Sequence, residues 1–166
     1  MKTIYHKPVM LEEAIQGLEI NPDGIYVDVT FGGGGHSRAI LKKLSKEGRL
    51  LAFDQDEAAQ QNIISDERFQ LINGNFSHLK RHLKFYGISI VDGILADFGV
   101  SSHQFDSGSR GFSTRLEGPL DMRMNAQNNL SAYEVVNEYS SEELQRIFKS
   151  YGELHIAKKI ADLILS

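Results

Sequence analysis

The chain has 166 residues, 41% of them apolar, with 18 Lys and Arg against 22 Asp and Glu and a formal net charge of −4, which suits a globular protein with one domain and part of another and rules out a general electrostatic trap for nucleic acid. The absence of cysteine excludes disulfides, thiolate metal sites and a cysteine nucleophile, and the six histidines show no paired metal-ligand spacing, so no metal is expected. No run approaches the roughly 18 apolar residues of a membrane span and Met1–His6 lacks a secretory apolar region, so a cytoplasmic protein with no membrane partner is expected.

In chain order, Met10 to Leu18 places Leu11, Ala14, Ile15 and Leu18 on one helical face, which predicts a helix packed on the edge of a sheet. Asn21-Pro22-Asp23-Gly24 then turns the chain into a strand over Ile25 to Val29, and Gly32 to Gly35 open a helix for which Ser37 is a candidate cap. Ile40, Leu41 and Leu44 continue that helix until Gly48 stops it. Arg49 to Asp54 reads as a second strand, Asp56 as the cap of a helix starting near Glu57, and Phe69 to Ile72 as a third strand. Ser77 to Phe85 follows as a helix, and the nearly continuous apolar run Val91 to Asp97 as a fourth strand covered on both faces. This β-α-β-α-β-α-β order implies an α/β, Rossmann-like parallel sheet with ligand sites at the carboxyl ends of its strands.

Polar residues of interest fall at those ends. Four glycines after a strand remove every β-carbon where a backbone must bend and admit a ligand, the mark of a nucleotide-cofactor turn. The dinucleotide pattern G-x-G-x-x-G is imperfect here, because Ser37 stands where its last glycine belongs, whereas Asp28 with Gly32 and Gly34 gives D-x-x-x-G-x-G, a pattern that resembles the first motif of S-adenosylmethionine-dependent methyltransferases. An acid at 28 either takes a hydrogen bond from the ammonium of the methionine part or holds the loop through its backbone N–H groups. Asp54 stands where doubly wound folds place an acid on ribose hydroxyls, which fits either cofactor. Asn73 to Phe76 follow the third strand, with Phe76 either against an adenine or in the core, and Asp97 ends the fourth. Lys80-Arg81-His82 with Lys84, Arg110 with Arg115 and Arg123, and Lys158-Lys159 are the local candidates for nucleic-acid contact.

From Phe98 to Asn129 periodicity disappears, and the mixture of small, charged and apolar residues predicts an ordered lid or substrate loop. Ser131 with Glu134 and Ser140 with Glu143 are capping-box signatures. Leu144, Ile147, Phe148 and Tyr151 form an apolar stripe ended by Gly152, and Ile156, Ile160, Leu163 and Ile164 begin a helix still running at Ser166.

Five blocks in this order, His6-Lys7-Pro8-Val9, Asp28 to Ser37, Asp97 to Ser102, Arg110 to Ser113 and Gly118 to Met124, resemble the bacterial 16S ribosomal RNA cytosine-N4 methyltransferase family along nearly the whole chain. The resemblance implies a class I methyltransferase sheet, here its first four strands, with residues 1–129 forming an S-adenosylmethionine-binding core with its active-site loop and 130–166 the start of a helical insert. It implies cofactor contacts at Gly34, Gly35, His36, Asp54, Phe76, Asp97 and Gln104, and 16S ribosomal RNA of the small subunit as the partner. Gly33 stands where a basic residue is frequent in the family, and Tyr151 to His155 lack an Arg that often follows the Glu. Family members are considerably longer, so the chain is expected to be a truncated piece or a naturally shortened form, with the unfinished final helix favouring truncation.

The implied chemistry is methyl transfer to the exocyclic amine of a cytosine, held unpaired or flipped and in line with the sulfonium. Asp97 is the nearest oxygen acceptor for an amine proton, and the catalytic base stays unassigned. The competing readings are an NAD-dependent oxidoreductase, which shares the glycine turn and Asp54 but leaves the blocks after Asp97 unexplained, and a non-catalytic cofactor-binding fragment. Missing strands beside the fourth would leave an open apolar edge that favours self-association.

Overall fold

The computed structural model describes residues 8–166, so His6 and Lys7 of the first resembling block lie outside the described residues. The chain forms two compact units, one ending at Gly99 and one beginning at Val100.

The first unit is built on a parallel sheet of β1 (Ile25–Asp28), β2 (Arg49–Asp54), β3 (Phe69–Asn73) and β4 (Gly93–Leu95), in the order β3-β2-β1-β4. Its central strands are buried runs of Val, Leu, Ala and Phe, as strands covered on both faces must be. On one face α1 (Leu11–Gly17) and α2 (Gly35–Leu41) bring Ala14, Ile15, Ile40 and Leu41 onto Tyr26, Leu50 and Ala52. Leu18, just after α1, reaches Gly93 of the edge strand β4. On the other face α3 (Leu79–Phe85) sets Leu79 and Leu83 on Val27, Leu51 and Phe53. The register pairs Asp28 with both Ala52 and Leu95, and Asp54 with Asn73, so β1 and β4 finish level with each other and β2 and β3 finish together two residues further on, all four with their carboxyl ends on the same side.

Four local expectations change. The helix after the glycine turn begins at Gly35, not behind Ser37; Gly34 is its N-cap in a left-handed conformation, and Ser37 is a buried residue inside the first turn. The segment Glu57–Asn62 is a 3-10 helix, although Asp56 does cap it by accepting the N–H of Ala58 at 3.0 Å. Residues 76–78 are likewise a 3-10 turn leading into α3. The fourth strand is three residues long, and Ile94 is 49% exposed. Among the described residues it pairs with β1 alone, and the face that carries Ile94, expected to be covered, is open.

In the second unit α4 (Ser102–Phe105), α5 (Ala132–Glu138), α6 (Ser141–Ser150) and α7 (Ala157–Leu165) each follow their own local signals. Both expected capping boxes are present, Ser131 with Glu134 and Ser140 with Glu143, and a third joins Ser101 to Gln104. Helices α6 and α7 bury Leu144, Ala157 and Ala161. The long segment before α5 is ordered by its own bonds: Met122 N–H to Arg110 C=O at 3.0 Å, Ala132 N–H to Asp121 C=O at 2.7 Å, and Tyr133 N–H to Leu120 C=O at 2.8 Å. No helix among the described residues is long and apolar enough to cross a membrane.

Candidate functional site

The glycine turn is held from several directions. Gly34 has φ of 74° and Gly32 φ of 50°, a region side-chain-bearing residues enter at a cost, and a β-carbon on Gly34 would lie 2.8 Å from the buried ring of Phe31. A β-carbon on Gly35 would run into the ring of Pro8. Four successive carbonyls of the turn are engaged: Phe31 C=O by Gly34 N–H at 2.7 Å, Gly32 C=O by Asn62 Nδ2 at 3.0 Å, Gly33 C=O by the Arg38 guanidinium at 2.7 Å, and Gly34 C=O by Arg38 N–H at 2.9 Å. Arg38 also donates to Asn62 C=O at 3.1 Å, so the turn and the 3-10 helix after β2 are cross-braced.

Asp28, fully buried at the end of β1, takes the Ser37 hydroxyl at 2.7 Å and the Thr30 N–H at 3.1 Å. Of the two roles considered for it, the geometry displays loop support. Burial pushes its carboxyl above the usual carboxylate range, against the lowering pull of those two hydrogen bonds. Asp54, at the end of β2, accepts the N–H of Gly32 at 2.7 Å on one oxygen and that of Asp56 at 2.9 Å on the other. Its main-chain carbonyl accepts Gly74 N–H at 2.8 Å. Burial raises its pKa as well. Two acceptor oxygens hold about four lone-pair sites, so these bonds leave capacity for ribose hydroxyls.

His36 is buried in the first turn of α2 with Nε2 3.1 Å from the Val9 carbonyl oxygen. Phe76 is 38% exposed and lies against Phe98, ring centroids 5.5 Å apart, so it is a surface ring at the end of β3 and not a core residue. Asp97 is exposed, two residues beyond β4, with its N–H donated to Thr30 Oγ1 at 2.8 Å. The first unit therefore gathers Gly34, Gly35, His36, Asp54, Phe76 and Asp97 around the carboxyl ends of its strands. Gln104 belongs to the second unit, where it is buried; its Oε1 accepts Ser101 N–H at 2.9 Å and closes the third capping box.

Residues 3–166 match the MraW methylase family. The chain belongs to that family. It is 60% identical over 162 residues to the ribosomal RNA small subunit methyltransferase H of Christiangramia forsetii, a match covering 98% of this chain and 54% of that protein. Proteins of the same name from Flavobacterium johnsoniae and Phocaeicola vulgatus are 60% and 54% identical, over 97% and 99% of this chain and 53% and 54% of theirs. The chain thus spans about half the length of the curated relatives it matches.

Among the candidate cations, Lys80, Arg81 and Lys84 are exposed on α3 and have no carboxylate partner among the described residues. Arg110 and Arg123 are engaged within their own unit, Arg110 on the carbonyls of Arg123 and Met124 and Arg123 in a 2.6 Å ion pair with Asp121, so internal support is their observed task. Sequence reading passed over Thr30, Arg38 and Asn62. The Arg38 guanidinium reaches back five residues to the Gly33 carbonyl, so a long cationic side chain in the first turn after the glycines was the available signal; Asn62 and the Thr30 bond to Asp97 offer no local signal.

Proposed function

We propose that this chain is the S-adenosylmethionine-binding part of a methyltransferase acting on the exocyclic N4 of a cytosine in 16S ribosomal RNA of the small subunit, in the cytoplasm. The observation that carries the reading is a glycine turn at the carboxyl ends of the parallel strands of a methylase-family chain, with Asp28 and Asp54 holding the turn and Asp97 beside it. The names of the curated relatives give small-subunit ribosomal RNA, which supports the RNA class of the proposed substrate.

The residues fit the cofactor. Gly32 faces open space where a β-carbon would stand, Asp54 retains acceptor capacity for ribose hydroxyls, and the exposed ring of Phe76 offers a flat apolar face to adenine. Gly34, Gly35 and His36 would line the amino-acid side, and Asp97 and Gln104 complete the proposed contacts. When bound, S-adenosylmethionine supplies an electrophilic methyl group. The chain's own residues bind and orient: the braced turn fixes the donor's position, and positioning alone can account for much of the acceleration of an in-line transfer. Asp97 is the nearest acceptor for an amine proton, and no catalytic base is assigned. Residues 1–129 are proposed as the cofactor core with its substrate loop, and 130–166 as the start of a helical insert. Exposed Lys80, Arg81 and Lys84 are the proposed contacts for RNA phosphates.

Mass spectrometry of small-subunit ribosomal RNA from cells with and without the gene tests the reading. Loss of one N4-methylcytosine is the expected result; loss of a 5-methyl mark would refute the chemistry, and an unchanged RNA the substrate.

A further inference from the structure

We infer that Thr30 is a positioning residue, whose hydroxyl carries Asp97 and couples it to the glycine turn through Asp28. The inference rests on the proposed role of Asp97 as a cofactor contact. Strand β4 ends at Leu95, whose carbonyl takes Val29 N–H at 2.9 Å in the last rung of the ladder. Ala96 and Asp97 then leave the sheet, exposed, and the hydrogen bond found at Asp97 is that of its N–H to Thr30 Oγ1 at 2.8 Å. Because that oxygen accepts a hydrogen bond from the Asp97 main-chain N–H, its own O–H must point elsewhere. Asp28 Oδ1 stands 3.5 Å away, at the long end of hydrogen-bond range, and the same oxygen takes Thr30 N–H at 3.1 Å. The other Asp28 oxygen takes Ser37 Oγ–H at 2.7 Å, inside the helix that the glycines open. One buried carboxylate thus fixes both the helix start and the side chain that anchors Asp97.

A threonine is suited to this place. Its branched carbon restricts χ1 and so aims the hydroxyl, which a flexible polar side chain would not do. Valine keeps the shape and removes the acceptor, and serine keeps the acceptor.

The test compares wild-type chain with Thr30→Val and Thr30→Ser, using hydrogen exchange at the Asp97 amide, calorimetric titration with S-adenosylmethionine and a thermal melt. One neutral hydrogen bond corresponds to roughly a fivefold change, so Thr30→Val is expected to weaken binding about five- to tenfold and to lose Asp97 protection by a similar factor. Thr30→Ser is expected to restore both to within about twofold, which a purely steric role would not do. Unchanged Asp97 exchange in Thr30→Val overturns the anchor, and unchanged affinity despite lost protection overturns its importance; in either case the proposed function stands. A serine variant as impaired as the valine variant also overturns the inference. If wild-type chain binds no S-adenosylmethionine while exchange follows the hydroxyl, the cofactor reading fails and the positioning role falls with it.

Discussion

Replacing Asp54 by Ala removes a carboxylate that serves the proposed ligand and the fold together. The structure gives it two backbone N–H donors, Gly32 at 2.7 Å and Asp56 at 2.9 Å, and hydrogen bonds to a charged group contribute about 1.5–3 kcal/mol each. Burial disfavours the ionised form and offsets part of this, so Asp54→Ala is expected to cost about 2–4 kcal/mol of stability, read by urea unfolding. Loss of the proposed ribose bonds should weaken S-adenosylmethionine binding at least roughly tenfold, read by calorimetry under conditions where the variant is folded. Asp54→Asn retains one acceptor oxygen and should fall between Ala and wild type in both measurements. The pH dependence has opposite signs for the two. With the folded pKa raised above 3.8, the folded state holds the extra proton between 3.8 and its own pKa, so this group's contribution to stability declines as pH rises through that window. Cofactor affinity instead declines as pH falls through it, because protonation turns an acceptor oxygen into a donor. An Asp54→Ala variant that binds as tightly as wild type would remove Asp54 from the site, and one with unaltered stability would refute the bracing.

Gly34→Ala must hold a φ of 74° and press on Phe31, so it should lose about 1–2 kcal/mol from backbone strain alone and bind cofactor more weakly, checked by urea unfolding and calorimetry. Neutralising Lys80, Arg81 and Lys84 together to Gln should flatten the salt dependence of single-stranded RNA binding by about 2 in logarithmic slope, from roughly 0.7 per phosphate contact; an unchanged slope would take α3 out of the RNA surface. Light scattering is expected to show self-association through the β4 edge, and Ile94→Lys should suppress it, since a charge on an open strand discourages pairing; a wild-type monomer at all concentrations would contradict this.

What was legible in the sequence is what neighbours along the chain decide. The apolar runs of β1, β2 and β3, the cap at Asp56 and the boxes at Ser131 and Ser140 depend on residues within a few positions, and all are present. Asp54 at the end of β2 and Phe76 after β3 follow from the same alternation. The extent of β4 was not legible, because a strand lasts only as long as its partner, and β1 offers Tyr26 to Asp28 as the matching register. The Thr30 bond to Asp97 spans 67 residues, and no pattern within either segment announces it. Arg110 and Arg123 looked like surface cations because composition carries no information about carbonyls brought alongside by a fold.

The engaged carbonyls of residues 31–34 bear on the thermodynamics of ligand capture. Glycines lose more conformational entropy on ordering than any other residue, and fixing a backbone residue costs about 1–2 kcal/mol at room temperature. Here that ordering accompanies folding, because Asn62, Arg38 and the first turn of α2 hold the glycines with the protein alone. The penalty therefore lowers the stability of the free protein and is absent from the binding step. A ligand meeting such a turn finds it in the receiving shape, which favours fast association and leaves affinity differences among related ligands to their dissociation rates.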